Sequence, residues 1–260
     1  MKREILKHLP PSYPWGDRVQ VYEVLESTNT HAVRLAKDGA PEGTAVIARQ
    51  QTAGRGRMGR SFLSRKDAGL YLSLILRPGC KAVELMHLTC AVAVAVCDAI
   101  ERLTGVRPGI KWINDLVLGR RKIAGILTEL GFRGDGTVDY AVIGIGINVA
   151  GEDFPEELRG IAGSLEGQLG NAPSLPALAA AVLAALRQMD LRDQEAIMAR
   201  YRQDCLTVGS GVRVISPAGS REALALSVTR EGALLVRYPD GQEEAVQSGE
   251  VSVRGLWDYI

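Results

Sequence analysis

The segments IAGILTEL (residues 123–130) and DYAVIGIGIN (residues 139–148) decide the fold class of this chain. Both segments are rich in apolar and β-branched residues, which favour strands, and a turn-forming segment at residues 131–136 separates them. Strands that are joined by a short turn form a hairpin and therefore pair antiparallel. Glycines at positions 144 and 146 predict that another group approaches the second strand closely.

Further strands and helices extend this hairpin in both directions along the chain. Strands are predicted over residues 19–25, 43–51, 70–77 and 110–118, and helices over residues 30–37, 82–103, 174–188 and 194–207. The first 18 residues are expected to be an irregular lead-in. Helix 82–103 is apolar nearly all round, so it should be enclosed. The pattern predicts an α+β fold with a mixed, largely antiparallel sheet flanked by helices.

The sequence changes in character after residue 208. Five short strands are predicted in about fifty residues, over 212–215, 223–229, 233–238, 243–246 and 251–254. Residues 238–242 (YPDGQ) are typical of a hairpin turn. We therefore predict two domains, residues 1–208 and residues 209–260, of which the second is a small β-barrel.

The composition limits the classes of partner. Lys and Arg number 31 and Asp and Glu 30, so the chain shows no general preference for nucleic acid. The four cysteines show no paired spacing and are expected to be reduced, as in a cytoplasmic protein. The three histidines form no metal-ligand pattern, so any metal is expected to arrive with a nucleotide. No signal sequence is evident, and the apolar run at residues 90–97 is too short to span a membrane.

The segment QQTAGRGRMGR (residues 50–60) is difficult to explain by folding alone. It lies between two predicted strands and places three glycines and three arginines within seven residues. Glycine allows backbone N–H groups to approach a ligand, and the arginine fork matches the oxygens of a phosphate or carboxylate. The segment predicts a loop that binds an anion.

Dinucleotide binding and a purely solvated loop are the alternatives to anion binding. The glycine spacing matches the dinucleotide fingerprint, but a predicted strand follows instead of a helix, and Gly79 stands where an acidic residue is required. The loop also lacks the Gly-Lys-Ser/Thr of a P-loop. A solvated basic loop without a function stays open, although such a loop would not need three glycines.

Two further segments carry candidate polar groups. Lys111 follows a predicted strand start and either adds charge to the loop arginines or lies at a strand edge with its amine in water. Ser27 or Thr28 either caps the next helix or faces a ligand, and one residue can do both. No Ser/His/Asp or Cys/His arrangement is evident. Charge neutralisation by Arg and Lys is therefore the expected form of catalysis, as where an oxyanion attacks phosphorus.

Five segments occur in the order and approximate spacing seen in biotin protein ligases: ESTN (26–29), QTAGRGRMGR (51–60), KWIND (111–115), KIAGIL (122–127) and GIGIN (144–148). The chain resembles this family over about residues 19–254. The resemblance implies a catalytic domain similar to class II aminoacyl-tRNA synthetases and an SH3-like C-terminal barrel. It also implies two reactions. Biotin and MgATP give biotinyl-5′-AMP and pyrophosphate, and a lysine of a biotin carboxyl carrier protein then attacks the mixed anhydride.

The resemblance implies a role for each matching residue. The implied catalytic residues are Lys111, Arg55 and Arg57. The implied biotin-binding residues are Ser27, Thr28, Asn29, Gln51, Arg55, Gly56, Arg57 and Lys111. The implied ATP-binding residues are Arg57, Arg60, Phe62, Asn114 and Asn148. In this scheme the protein itself binds no metal, Mg²⁺ comes with the nucleotide, and the arginine loop closes over the adenylate as a lid.

The sequence departs from the family pattern at three points. Ile113 stands where proline is usual, which we expect to alter packing only. Phe62 replaces a frequent tryptophan, which weakens the case for adenine stacking there. The DNA-binding domain of the bifunctional ligase-repressors is not evident, so we expect an enzyme that does not bind DNA or membranes. The resemblance further implies a homodimer. We also expect Glu250 and Arg254 to assist ATP or carrier binding.

Two other functions stay open at this point. A lipoate ligase or octanoyl transferase has a similar fold and also modifies a lysine on a carrier domain, although the KWIND and GRGRMGR segments favour biotin. A non-catalytic vitamin sensor would bind biotin and label no carrier protein.

Overall fold

A computed structural model of the chain describes residues 1–216, 219–247 and 252–255. The helices are α1 (Lys2–His8), α2 (Thr28–Lys37), α3 (Leu88–Thr104), α4 (Leu165–Leu169), α5 (Leu175–Gln188) and α6 (Gln194–Asp204). The strands are β1 (Val19–Leu25), β2 (Ala45–Gln51), β3 (Gly69–Leu76), β4 (Gly109–Lys111), β5 (Asp115–Leu118), β6 (Arg121–Phe132), β7 (Val138–Asn148), β8 (Gly211–Ser216), β9 (Gly219–Val228), β10 (Leu234–Arg237), β11 (Glu243–Val246) and β12 (Ser252–Gly255).

The first seven strands form one sheet in the order β1-β2-β3-β7-β6-β5-β4. β1 and β2 pair in parallel, and every other neighbouring pair is antiparallel. The predicted mixed, largely antiparallel sheet is confirmed. Its centre is the β6–β7 hairpin, in which Leu127 lies opposite Gly144 and Gly125 opposite Gly146.

Helices cover both faces of this sheet. The larger core packs α1, α3 and α5 on one face, while α2 packs on β2, β3 and β7 and forms the smaller core on the other face. By length and composition, the segment Ala82–Thr104 could cross a membrane, but 72% of its most apolar window is buried inside the protein. Among the described residues the α3 part of this segment is therefore the enclosed core helix that its apolar pattern predicted.

Three predictions for the catalytic part of the chain were wrong. The lead-in contains α1, because Ile5 is buried and the prolines at positions 10 and 11 come after the helix instead of breaking it. Helix 82–103 is divided into a 3₁₀ turn, Ala82–Leu85, and α3. The single strand over 110–118 is a hairpin of β4 and β5, because the chain reverses direction at residues 112–114.

The last five strands form an antiparallel sheet in the order β11-β10-β9-β8-β12. Each lies within a few residues of a predicted strand, so the small all-β unit at the carboxyl end is confirmed. The boundary at residue 208 stays a prediction. Glu250 lies outside the described residues, and only the backbone of Arg254 is described.

Candidate active site

A cavity of about 520 Å³ lies on the α2 side of the large sheet. Its volume is in the usual range for a small-molecule site. Its wall contains every residue that the sequence analysis assigned to biotin or ATP: Ser27, Thr28, Asn29, Gln51, Arg55, Gly56, Arg57, Arg60, Phe62, Lys111, Asn114 and Asn148. The structure thus brings together four segments that are far apart in sequence, while the individual roles of these residues stay predictions.

The amino end of α2 contributes the first of these segments. Ser27 is the N-cap of the helix, and its Oγ accepts a hydrogen bond from the backbone N–H of Thr30 at 3.4 Å. Ser27, Thr28 and Asn29 are only 3%, 4% and 4% exposed. The capping interpretation is confirmed, and it holds together with a place on the cavity wall.

A chain of hydrogen bonds fixes the side chains at this end. Gln51 Oε1 accepts from the backbone N–H of Thr28 at 2.8 Å and from its Oγ1 at 3.1 Å. Gln51 Nε2 donates to Ser64 Oγ at 2.7 Å. The buried hydroxyl of Ser73 donates to Asn29 Oδ1 at 2.6 Å. We call Ser27, Thr28, Asn29 and Gln51 the hydrogen-bonding end of the cavity.

The two glycines of the GIGIN segment make room for site residues. A Cβ on Gly144 would lie 2.0 Å from Asn29 Oδ1, and a Cβ on Gly146 would lie 2.6 Å from Cε1 of Phe62. Both distances are far below van der Waals contact, so only glycine fits. The close approach predicted from the sequence is confirmed, and the approaching groups are the Asn29 amide and the Phe62 ring.

The glycine–arginine loop (residues 54–60) forms a compact turn between β2 and β3. The backbone N–H of Gly56 donates to Arg60 O at 2.7 Å, and that of Phe62 donates to Gly54 O at 2.8 Å. The backbone of Gly59 has a φ of 72°, in the left-handed region that favours glycine. The loop therefore opens no long helix, which agrees with the rejection of the dinucleotide fingerprint.

Arg57 extends from this loop into the cavity. Its Nη1 donates to Asn114 Oδ1 at 3.0 Å. Burial lowers the pKa of Arg57 from its ordinary value, and the nearby carboxylate of Asp115 opposes that shift. Arginine stays protonated at any physiological pH, so Arg57 brings a partly desolvated positive charge to the site.

The KWIND turn (residues 111–115) connects β4 to β5. Lys111 ends β4 opposite Asp115, and both line the cavity. Asn114 is tied to β6, because its Nδ2 donates to Ile126 O and its O accepts from the backbone N–H of Ile126, both at 2.9 Å. The Trp112–Ile113 peptide is cis.

Residues outside the large sheet form hydrogen bonds to this turn. The backbone N–H of Trp112 donates to Thr207 Oγ1 at 2.9 Å, and its indole Nε1 donates to Gly232 O at 3.0 Å. The buried hydroxyl of Tyr201 donates to Ile113 O at 3.2 Å. The turn therefore takes its position from α6, from the segment after it and from the β9–β10 turn of the C-terminal sheet.

Sequence reasoning missed several groups at the site. Lys122 Nζ forms an ion pair with Asp115 Oδ1 at 2.7 Å, and Glu129 contacts both Asn29 and Arg55. Lys122 and Asp115 lie in segments that carry the family resemblance, and their charges were a usable signal. Glu129 could be found only from the register of β6.

The apolar part of the cavity wall was missed as well. It comes from the segment between β7 and α4 and consists of Phe154, Leu158, Ile161 and Ala162. This segment is attached to β6, since the backbone N–H of Lys122 donates to Ile161 O at 2.7 Å. Asn148 Nδ2 donates to Gly163 O at 3.1 Å and attaches it to β7.

The two ends of the cavity differ in chemistry. We call Arg57, Arg60, Lys111 and Lys122 the cationic end. The hydrogen-bonding end lies over β3 and β7, and the KWIND turn lies at β5. Both ends meet β6, at Lys122 and at Leu127, whose carbonyl accepts from Asn29; these residues are five positions apart, which is about 16 Å along a strand. The cavity suits an elongated ligand with a neutral polar head and an anionic tail.

The described residues hold no group of three or more His, Cys, Asp or Glu side chains that could bind a metal ion. Among the described residues that line the cavity, Asp115 carries the carboxylate, and this carboxylate is paired with Lys122. Mg²⁺ commonly uses one or two carboxylates together with substrate phosphates. The donor set fits a Mg²⁺ that a nucleotide carries, with Asp115 as a carboxylate on the cavity wall, and does not fit a site made by the described residues alone.

Comparisons with known proteins identify the family of this chain. A model of the Biotin/lipoate A/B protein ligase family matches residues 21–148, and a model of the Biotin protein ligase C terminal domain matches residues 207–254. The chain is 37% identical over 233 residues to the bifunctional ligase/repressor BirA of Bacillus subtilis (strain 168), covering 87% of this chain and 71% of that protein. It is 33% identical over 234 residues to the biotin–[acetyl-CoA-carboxylase] ligase of Mycobacterium tuberculosis, covering 86% of this chain and 85% of that protein.

Solved structures of biotin protein ligases also resemble this chain. The biotin protein ligase of Aquifex aeolicus in complex with biotin and ATP superposes with a TM-score of 0.78 at 28% identity, covering 91% of this chain and 98% of that one. This likeness confirms the fold class. The chain therefore belongs to the biotin/lipoate protein ligase family. Within that family its relatives place it among the biotin protein ligases.

Proposed function

We propose that this chain activates biotin with ATP to biotinyl-5′-AMP and transfers the biotinyl group to a specific lysine of a biotin carboxyl carrier protein. One observation carries the proposal: a single cavity joins a buried, neutral hydrogen-bonding end to a cationic end. The names of the relatives in Mycobacterium tuberculosis and Aquifex aeolicus support the choice of biotin and ATP.

The hydrogen-bonding end suits the ureido group of biotin. That group is uncharged and carries N–H donors and a carbonyl acceptor, which match hydroxyl and amide side chains. Ser27, Thr28 and Gln51 already have fixed directions because each is bonded to the protein. A head group of matching polarity can therefore bond to these groups without rearranging them, which lowers the entropy lost on binding.

The cationic end suits the first chemical step. A carboxylate oxygen of biotin forms a bond to the α-phosphorus of ATP, and the bond from that phosphorus to pyrophosphate breaks. Two unit charges at 4 Å repel each other by about 4 kcal/mol at an effective dielectric constant of 20. Lys111 and Arg57 would offset this repulsion and stabilise the charge that develops in the transition state.

The second step joins biotin to the carrier. The neutral lysine nitrogen of the carrier forms an amide bond with the acyl carbon and loses a proton to solvent, the acyl–phosphate bond breaks, and AMP leaves with the electron pair. Until that attack, the mixed anhydride must be kept from water. The glycine–arginine loop and the apolar wall of Phe154 and Ile161 enclose the cavity in a way that serves this purpose.

The remaining features of the proposal concern partners and location. We infer that Mg²⁺ accompanies ATP and that the protein acts in the cytoplasm, where the unpaired thiols would stay reduced. Burial raises the pKa of Cys90 and Cys97, which keeps both thiols protonated. The near-zero net charge supports an enzyme without DNA binding. Strand β1 lies at a sheet edge and supports a homodimer formed by edge pairing.

Pyrophosphate exchange tests the first step, and carrier labelling tests the second. We expect radiolabelled pyrophosphate to enter ATP when biotin is present, and biotin to appear on an isolated carrier domain. Exchange with lipoate but not biotin would make the chain a lipoate ligase. Biotin binding without carrier labelling would make it a sensor.

A further inference from the structure

We infer that Glu129 is a positioning residue for biotin activation and that it acts through Asn29 and Arg55. The inference rests on the proposed function, because both of these residues line the cavity in which biotin is placed. Glu129 itself belongs to none of the segments that carry the family resemblance.

The register of the sheet brings Glu129 to the amino end of α2. Alternate residues of a strand face the same side, so Gly125, Leu127 and Glu129 of β6 all face the cavity side of the sheet. Leu127 pairs with Gly144, which is the glycine that accommodates the Asn29 amide. Glu129 lies one step further along the same face and so reaches the first turn of α2.

The carboxylate of Glu129 completes the hydrogen bonding of Asn29. Asn29 Nδ2 donates to Glu129 Oε2 at 2.9 Å and to Leu127 O at 3.3 Å. Asn29 Oδ1 accepts from Ser73 at 2.6 Å. Because both amide protons are used within the protein, Asn29 has no N–H left for biotin. Asn29 instead fixes the first turn of α2, which presents Thr28 to the cavity.

The same carboxylate holds the base of the glycine–arginine loop. Arg55 Nη1 lies 3.0 Å from Glu129 Oε1, and Arg55 pairs with Ser61 across the base of the loop. The side chains of Arg55 and Glu129 are 49% and 26% exposed. Exposed ion pairs contribute little to stability, so the value of this contact is geometric. One carboxylate thus links the helix end to the loop that closes over the ligand.

Two variants of Glu129 separate its two contacts. Glu129→Gln keeps an oxygen that accepts from Asn29 but removes the charge beside Arg55. Glu129→Ala removes both contacts. Loss of a hydrogen bond to a charged group typically costs a factor of about ten in affinity, so we expect the biotin KM to rise about tenfold in Glu129→Ala and about threefold in Glu129→Gln. The KM for ATP should rise less than the biotin KM, because the loop that Arg55 anchors also carries Arg57 and Arg60, whereas Asn29 belongs to the hydrogen-bonding end alone.

The matched control is Glu23→Gln. Glu23 lies on β1 outside the cavity wall and pairs with Arg49 at 3.0 Å, so this variant loses a similar exposed arginine contact. The experiment measures KM and kcat in biotin-dependent pyrophosphate exchange, together with the melting temperature. We expect Glu23→Gln to keep the biotin KM of the unmodified protein.

The outcomes distinguish this inference from the proposed function. A selective rise in the biotin KM of both Glu129 variants supports the positioning role. An unchanged biotin KM in Glu129→Gln and Glu129→Ala, or an equal rise in the KM for ATP, overturns it while the exchange reaction of the unmodified protein still stands. If the unmodified protein shows no biotin-dependent exchange, the proposed function fails and this inference fails with it.

Discussion

The hydrogen-bonding end of the cavity is hydrogen-bonded throughout and mostly buried, whereas the cationic end is formed by a loop and a turn. Ser27, Thr28 and Asn29 have almost no exposed surface and sit in a network that reaches the interior of β3. In the glycine–arginine loop, by contrast, Met58 is 61% exposed. The difference indicates that the side chains of the hydrogen-bonding end are held more tightly than the exposed tip of the loop at the cationic end.

This contrast has a physical reason. A rigid site reduces the entropy that is lost on binding, which benefits recognition of a small neutral head group. The cationic end must instead admit ATP, release pyrophosphate and then expose the acyl group to a lysine. Changes at the hydrogen-bonding end should therefore alter the biotin KM, and changes at the cationic end should alter kcat and the retention of the adenylate.

Lys111→Ala is expected to have the largest effect on the cationic end. We expect kcat for pyrophosphate exchange to fall by about 10²–10³-fold, the usual effect of removing a group that stabilises transition-state charge. The melting temperature should change little, because the substitution removes charge from the site and leaves the core volume unchanged. Lys66→Ala, at an exposed lysine close to the loop, is the control and should keep full activity. Normal exchange in Lys111→Ala would refute the assignment of Lys111.

Arg57→Gly should change the retention of the adenylate more than the rate at which the adenylate forms. A hydrogen bond to a charged group contributes about 1.5–3 kcal/mol, so losing the guanidinium should speed adenylate release by about tenfold to a hundredfold. The released mixed anhydride would then biotinylate exposed lysines on bystander proteins, which streptavidin blotting detects.

Glycine also adds backbone freedom, so Met58→Gly is the matched control for Arg57→Gly. Met58 already has a φ of 55°, which glycine adopts readily. We expect Met58→Gly to stay specific for the carrier. Strict carrier specificity in Arg57→Gly as well would count against a lid role for the loop.

Trp112→Phe tests whether the cationic end depends on the C-terminal sheet. The variant keeps an aromatic ring but removes the indole N–H that donates to Gly232 O. A buried carbonyl that loses its partner costs about 1–3 kcal/mol, which urea unfolding would show. Because Lys111 is the adjacent residue, a small displacement should lower kcat roughly tenfold.

Trp15→Phe is the control for Trp112→Phe. Trp15 is buried outside the cavity, where its ring contacts Arg187. We expect this variant to lose some stability and to keep kcat. If Trp112→Phe also loses only stability, the C-terminal sheet has no part in placing the KWIND turn.

The same contrast accounts for what the sequence could reveal. The glycine–arginine loop was visible because glycines and arginines in this density have few purely structural roles, and Gly144 and Gly146 predicted close contacts that the structure confirms. The anchors of the KWIND turn could not be predicted, because Thr207 and Gly232 lie about a hundred residues away from it. Glu129 was hidden for a similar reason, since only the register of β6 places it next to Asn29.

Ser27→Ala should have the smallest effect and gives the sharpest test of the hydrogen-bonding end. Ser27 and Ser174 are both N-caps whose Oγ accepts a backbone N–H at 3.4 Å, but only Ser27 lines the cavity. Loss of either cap should cost about 1 kcal/mol of stability. If Ser27 also bonds the head group of biotin, Ser27→Ala should raise the biotin KM about fivefold, the effect of one neutral hydrogen bond, while Ser174→Ala leaves it unchanged. Equal biotin KM values in the two variants would show that Ser27 acts only as a helix cap and that Thr28 and Gln51 recognise the head group.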